Sequence, residues 1–178
     1  NPKKSLGQNF LEDKTLLRKI VDLGDISNKD TVIEIGPGTG NLTGELMKRN
    51  PKKLIVVEKD NILSDLLHRK YNSDITVINK DILKCYNDLI GSVPLKVFGN
   101  LPYNISTKIL VSFIKMDNLH KKFNKFIFIF QKEVADRIVA KEDSKNYGRL
   151  SILTSWKMNC EKILDIDPIY FKPKPKVW

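Results

Sequence analysis

The sequence predicts an α/β fold, a doubly wound and mostly parallel sheet of the Rossmann-like type, and three observations predict it. Short apolar runs rich in β-branched residues alternate with stretches whose apolar residues recur at helical spacing. A glycine-rich turn, Gly36-Pro37-Gly38-Thr39-Gly40, follows the first of the β-like runs. Acidic residues, Glu58 and Asp81, stand at the ends of the next two.

The first helix is predicted over residues 13–23, where Leu16, Leu17, Ile20, Val21 and Leu23 recur after Asp13, a suitable cap, and Gly24 stands where a helix can stop. Thr31 to Ile35 reads as a strand entering the glycine turn, and Leu42 and Leu46 mark the helix beyond it. The unit repeats with a strand from Lys53 to Val57, a helix presenting Ile62, Leu63, Leu66 and Leu67 on one side, and a strand from Ile75 to Ile78. It repeats again with a strand from Leu95 to Phe98, a helix carrying Ile109, Leu110, Phe113 and Ile114, and the apolar run Phe126 to Phe130 before a helix with Val134 and Ile138. Lys141 to Asn146 is polar and reads as a loop; Leu150 to Trp156 and Ile163 to Ile166 are expected to add a helix and a strand. Nearly continuous apolar strands imply a parallel sheet covered on both faces, and right-handed crossovers restrict it to a doubly wound topology.

A chain of 178 residues with 41% hydrophobic content suits one domain, residues 1–178, with a proper core. No run approaches the roughly 20 apolar residues of a membrane span, and Asn1-Pro2-Lys3-Lys4 lacks the apolar core of a signal peptide, so a soluble, cytoplasmic chain is expected. Cys85 and Cys160 form neither a metal-ligand spacing nor a disulfide framework and are expected to be buried thiols. The chain ends at Trp178 in a Pro- and Lys-rich segment rather than after a finished element, which suggests a domain truncated at its C-terminus. The net charge of +10 suits a polyanionic partner, although a lysine-rich composition alone produces the same excess. Lys3 and Lys4, the group His120, Lys121, Lys122 and Lys125, and Lys172, Lys174 and Lys176 are the local clusters.

Glycines at 36, 38 and 40 let the backbone turn tightly and approach a ligand closely. A dinucleotide site would want a further glycine at Asn41, so the turn fits a ligand without a pyrophosphate. Glu58 stands where an acidic side chain takes ribose hydroxyls, and a carboxylate at Asp81 can accept from an exocyclic adenine amine. Either residue alone is as well explained as a helix cap or a solvated charge. In series they describe a site for an adenosine with a charged tail.

Asn100-Leu101-Pro102-Tyr103 follows the fourth strand and should emerge beside that ligand. An adenine amino group is a poor nucleophile because its lone pair is delocalised into the ring. The Asn100 carboxamide oxygen and the Leu101 carbonyl can each accept one of its N–H groups and localise the lone pair, Pro102 fixes the turn, and Tyr103 offers a face for stacking an extruded base.

At these residues the sequence resembles the rRNA adenine dimethyltransferases of the KsgA and Erm superfamily. The resemblance runs through Gly7 to Leu11, Gly36 to Thr43, Val57 to Asp60, Asn100 to Ser106, Gln131 to Arg137, Tyr147 to Ser151 and Phe171 to Val177. Leu101, the Tyr147 to Ser151 segment and the prolines after Phe171 are more similar to the KsgA branch. The resemblance implies a class I methyltransferase using S-adenosylmethionine and no metal, with Asn9, Leu11, Gly36, Gly38, Gly40, Glu58, Asp81 and Asn100 at the cofactor. It implies catalytic roles for Asn100, Leu101, Pro102 and Tyr103, with Phe171 on the far face of the target base. The implied reaction places four methyl groups on two adjacent adenosines near the 3′ end of small-subunit rRNA, in a pre-ribosomal particle, by a monomer; the family's last strand and C-terminal helical domain are expected to be missing from this chain. Three other readings compete. They are an Erm-type large-subunit enzyme, a non-catalytic rRNA-binding assembly or transcription factor, and a protein glutamine methyltransferase, which uses a similar Asn-Pro-Pro-Tyr turn.

Overall fold

A computed structural model describes residues 9–89 and 94–175. Lys3, Lys4, Gly7, Gln8, Lys176, Val177 and Trp178 lie outside the described residues. The elements in chain order are β1 (Phe10–Leu11), α1 (Lys14–Asp22), β2 (Thr31–Ile35), α2 (Asn41–Met47), β3 (Lys53–Val57), α3 (Asn61–Tyr71), β4 (Thr76–Ile78) and α4 (Ile82–Cys85). They continue with β5 (Leu95–Asn100), α5 (Ser106–Ile114), α6 (Leu119–Lys122), β6 (Phe123–Ile129), α7 (Lys132–Ile138), α8 (Arg149–Lys157) and β7 (Phe171–Lys172).

Five strands form one sheet in the order β4-β3-β2-β5-β6, and every adjacent pair is parallel. The order reverses at β2, which begins the chain's outward walk in one direction through β3 and β4 and is later flanked by β5 on its other side. Such a switch point opens a crevice at the carboxyl ends of the strands. All five residues of β2 are buried, as a central strand covered on both faces requires.

One face of the sheet carries Ile33, Ile35, Val57 and Val97 against Ile82 of α4 and Ile109 and Phe113 of α5. The other carries Val32, Leu54, Val56 and Phe98 against Leu17, Ile20 and Val21 of α1, Leu46 of α2 and Leu67 of α3. Alternate residues of each strand thus serve opposite cores, the period-2 consequence of the pleat. Asp13 starts α1 by accepting from Leu16 N–H at 2.7 Å, and Asp60 starts α3 by accepting from Ile62 N–H at 2.9 Å.

Three expectations need correction. In α3 the buried positions are Ser64 and Leu67, whereas Ile62 is 66% and Leu66 38% exposed, because the helix is rolled to place its Leu67 stripe on the sheet. Ile163 to Ile166 is not a strand: among the described residues no strand lies beside this segment to complete its hydrogen bonds, and Ile163 is exposed. Cys85 is buried as expected, but Cys160 is only half-buried. The structure also has a pairing the sequence did not announce, the short antiparallel ladder of β1 with β7, with Leu11 opposite Phe171.

Phe113 is fully buried and its ring meets Tyr86, Phe123 and Phe126 with centroids 5.8, 5.2 and 5.2 Å away. Phe113→Ala removes the hub of this aromatic group and is expected to cost about 3–5 kcal/mol. Urea unfolding should show the midpoint fall with the slope unchanged; a loss below about 1 kcal/mol would mean that the neighbouring rings close the cavity.

Candidate active site

Three strands end level with one another at the crevice. The ladder sets Ile35 opposite Val57 on one side and opposite Gly99 on the other, so the next residues, Gly36, Glu58 and Asn100, stand side by side. Gly36 N–H donates to Val57 C=O at 2.9 Å and Glu58 N–H to Ile78 C=O at 3.0 Å, carrying the alignment one residue beyond the strands.

The glycine turn departs from β2 with φ of +66° at Gly36, +59° at Gly38 and +82° at Gly40, the left-handed region where a side chain is strained. A Cβ on Gly38 would come within 2.5 Å of the Phe10 ring, so the N-terminal segment packs directly on the turn. Behind the turn, Tyr71 hydroxyl donates to Gly40 C=O at 2.7 Å and Lys70 Nζ to Thr39 C=O at 3.2 Å. These contacts, from the last turn of α3, engage two carbonyls of the turn.

One pocket is bordered by Asn9, Gly36, Gly38, Glu58, Asp81, Asn100, Leu101, Pro102 and Tyr103, together with the apolar side chains of Ile35, Val57, Ile82 and Ile109. Leu11 and Gly40 lie behind it: Leu11 is buried, with its carbonyl accepting from Asn41 Nδ2 at 3.0 Å, and Gly40 abuts Leu67 and Tyr71. Phe171 is also outside this pocket. It is buried beside Leu11 and Leu17 and borders an adjoining groove whose rim includes Tyr103.

Glu58 is buried; burial holds its carboxyl above the usual range, opposed by hydrogen bonds from Asp60 N–H at 2.9 Å and Gly38 N–H at 3.1 Å. Asp81 caps α4, accepting from Leu83 N–H at 3.0 Å, and its other oxygen meets Lys59 Nζ at 2.9 Å. Partial burial works against its ionisation, but these two donors outweigh it and hold the carboxyl below its usual range. Asn100 is the last residue of β5, and its Nδ2 donates to Asn9 C=O at 2.7 Å. That contact assigns the amide end that faces the N-terminal segment and leaves Oδ1 as the acceptor end. Leu101 is 1% exposed, so its side chain anchors the turn in the core and only its backbone can serve the pocket. Pro102 C=O accepts from Ile105 N–H at 3.1 Å, closing the turn ahead of α5. Burial raises the Tyr103 phenol above its ordinary value, keeping it neutral.

Sequence reasoning missed Glu34. This carboxyl lies in the middle of β2, fully buried, and accepts from Thr43 Oγ1 at 2.6 Å. Burial raises it to about 8, with the nearby Glu58 charge adding to the effect and the Thr43 hydroxyl opposing it. An acidic residue inside the otherwise apolar run Thr31-Val32-Ile33-Glu34-Ile35 was the available signal. Lys70 and Tyr71 gave none, since their contacts join residues 31 positions apart.

Among the described residues no group of His, Cys, Asp and Glu could hold a metal ion, and no helix is long and apolar enough to cross a membrane.

A sequence profile described as ribosomal RNA adenine dimethylase matches residues 1–177. The chain is 55% identical to ribosomal RNA small subunit methyltransferase A of Pelagibacter ubique over 175 residues, 98% of this chain and 66% of that protein. It is 43% identical to the protein of the same name from a Wolbachia of Brugia malayi, over 99% of this chain and 68% of the relative. The chain therefore spans about two thirds of the length of these curated relatives. Among solved structures, a dimethyladenosine transferase from Plasmodium falciparum superimposes with TM-score 0.82 at 29% identity, covering 94% of this chain and 60% of the other. The 23S rRNA methyltransferase ErmE gives 0.76 at 28% identity, covering 94% and 66%. The sheet is thus the Rossmann-like fold of the class I methyltransferases.

Glu34 makes stability depend on pH in a definite direction. Its folded-state pKa is raised from 4.5 to about 8, so its contribution is fully present below about pH 4.5 and is lost as pH rises through about 8. At about 1.4 kcal/mol per tenfold change in proton affinity, the loss is at most about 5 kcal/mol. Glu34→Gln, which keeps the shape and stays neutral, is expected to gain on the wild type steadily between these limits. Urea midpoints measured across the range check this, and a constant difference would show Glu34 to be ionised throughout.

Proposed function

We propose a function for the chain from one premise: it belongs to the ribosomal RNA adenine dimethylase family. The reaction we assign is transfer of methyl groups from S-adenosylmethionine to the exocyclic amines of two adjacent adenosines near the 3′ end of small-subunit rRNA, within a pre-ribosomal particle. The observation that carries it is the convergence of Gly36, Glu58, Asp81 and the Asn100 to Tyr103 turn on one pocket.

The residues present fit that cofactor. Glu58 offers a buried carboxylate for vicinal hydroxyls, Asp81 an acceptor for an amine, and Ile35, Val57 and Ile82 an apolar bed for a purine between them. Gly36 borders the pocket with nothing closer than 4.0 Å to where its Cβ would lie, so the backbone itself can approach a ligand. When bound, the sulfonium supplies an electrophilic methyl carbon beside the Asn100 turn.

The chain's own residues then prepare the nucleophile. Asn100 Oδ1 and the Leu101 carbonyl accept the two N–H groups of the target amine, directing its lone pair out of the ring plane. Tyr103 supports the base by stacking on its ring face, and its half-buried phenol remains neutral. Alignment of amine and methyl at about 3–3.5 Å completes the arrangement. Phe171, in the groove that Tyr103 also borders, is the residue we assign to the far side of the base.

Small-subunit rRNA is favoured over the large-subunit target by the relatives. The relatives from Pelagibacter ubique and from the Wolbachia of Brugia malayi, 55% and 43% identical to this chain, are named for the small subunit, whereas the large-subunit enzyme ErmE shares 28%. The intact polar set of the pocket favours an enzyme over a purely binding assembly factor. We assign the working protein to the cytoplasm, acting as a monomer and without a metal.

Incubating full-length protein with a mixture of immature small and large ribosomal subunits and methyl-labelled cofactor should label two adjacent adenosines of the small-subunit rRNA. Label confined to large-subunit rRNA would overturn the substrate. Glu58→Ala is expected to weaken S-adenosylmethionine binding by about 1–3 kcal/mol without unfolding the domain, and unchanged calorimetric affinity would remove Glu58 from the site. Asn100→Ala should lower turnover far more than cofactor affinity. Tyr103→Phe should retain much activity while Tyr103→Ala loses about 1–3 kcal/mol of base binding; equal loss in both would exclude stacking as the role.

A further inference from the structure

The acidic oxygens of the pocket are already engaged by donors of the chain itself. Glu58 accepts from Gly38 and Asp60 N–H, and Asp81 accepts from Leu83 N–H and from Lys59 Nζ. The first three donors are main-chain groups held by the glycine turn and by the starts of α3 and α4. The Lys59 ammonium differs in kind: it ends a flexible four-carbon stem, and its side chain is 59% exposed, against 17% for Asp81. It is the one of these donors that can leave without unmaking a loop or a cap.

We propose that Lys59 is an internal competitor for the adenine-reading carboxylate, holding Asp81 Oδ2 while the pocket is free and giving it up when an exocyclic amine takes its place. This rests on the assignment of Asp81 as the adenine acceptor. Oδ1 serves the cap of α4, so Oδ2, whose partner is a mobile side chain rather than a main-chain group, is the oxygen we assign to an amine entering the pocket. The chain gains from the arrangement, because even a half-buried carboxylate is better satisfied with a counter-charge than without one, and Lys59 supplies it while the pocket is free. Lys59 follows Glu58 directly and borders the same pocket, so it has only to swing outward toward solvent to clear the space.

The competition is modest in size and has a distinctive salt response. A pair this exposed supports a penalty of about two- to fivefold on affinity. Salt screens the pair and so relieves the penalty. A ligand of zero net charge should therefore bind the wild type more tightly as salt rises, contrary to the usual weakening of an electrostatic contact.

Calorimetric binding of S-adenosylhomocysteine, whose amino and carboxylate charges cancel, to the full-length protein tests this with K59M, D81N and the double variant. K59M is expected to bind about two- to fivefold more tightly than wild type at low salt. At about 1 M salt, where the screening length is ~3 Å, the two should converge. In the D81N background, K59M should change nothing. K59M binding no more tightly than wild type, or an advantage that survives in D81N, overturns the proposal. The double variant binding as tightly as K59M overturns instead the assignment of Asp81 beneath it.

Discussion

The parallel pairing of β2 with β3 on one side and β5 on the other is the constraint from which the site follows. Parallel strands all end at the same edge, and the register carries Ile35, Val57 and Gly99 to one level. The residues that come next, Gly36, Glu58 and Asn100, are separated by many positions in the chain but adjacent in space. An antiparallel neighbour at either position would send one of the three to the opposite edge. A slip of one residue would turn Glu58 or Asn100 to the other face. The apolar sequence of the strands, which drives the pairing, is therefore also what composes the polar site.

That origin has an electrostatic consequence. Strands covered on both faces end in poorly solvated ground, so carboxylates near the crevice are raised by burial unless donors compensate. Glu34, deepest, has one hydroxyl donor and is held near neutrality at ordinary pH, with a value of about 8. Glu58 has two main-chain donors and remains above its usual range. Asp81, nearer solvent and paired with a cation, falls below its own. The gradient runs from a neutral acid bracing α2, through the Glu58 carboxyl that we propose takes ribose hydroxyls, to the ionised Asp81 at the rim. Two fully charged acids at 34 and 58 would repel each other in a medium that screens poorly, and protonation of the inner one removes that repulsion.

The chain disclosed local and periodic features and concealed those set by distant partners. The strand and helix succession, the turn at Gly36 to Gly40 and the motif at Asn100 to Tyr103 are contiguous, so spacing alone found them. Glu58 and Asp81 were found because a doubly wound fold fixes where strand ends meet. The pairing of Phe10 and Leu11 with Phe171 and Lys172 joins the two ends of the described chain and leaves no local signature. The apolar residues Ile163 and Ile166 have strand-like composition, yet composition cannot supply a neighbouring strand. In α3, Ile62, Leu63, Leu66 and Leu67 fit one helical face, but the roll of the helix was decided by contacts with the sheet, and Leu67 prevailed. The Lys59 to Asp81 contact was hidden because it joins residues 22 positions apart and because Asp81 had already been read as a ligand group.

The N-terminal segment joins features that the sheet alone leaves independent. Asn9 accepts from Asn100, Phe10 packs on Gly38, and Leu11 accepts from Asn41 at the start of α2. Three consecutive residues thus touch the turn proposed for chemistry, the turn proposed for cofactor, and the helix that continues it. The same segment is held from behind by β7, which places Phe171 opposite Leu11. A displacement of β1 by a bound ligand would therefore act at Asn100 and at Phe171 together, on both proposed sides of the target base. The turns proposed for cofactor and for target base thus share one structural element, the short strand β1, which packs on both and is itself held by β7.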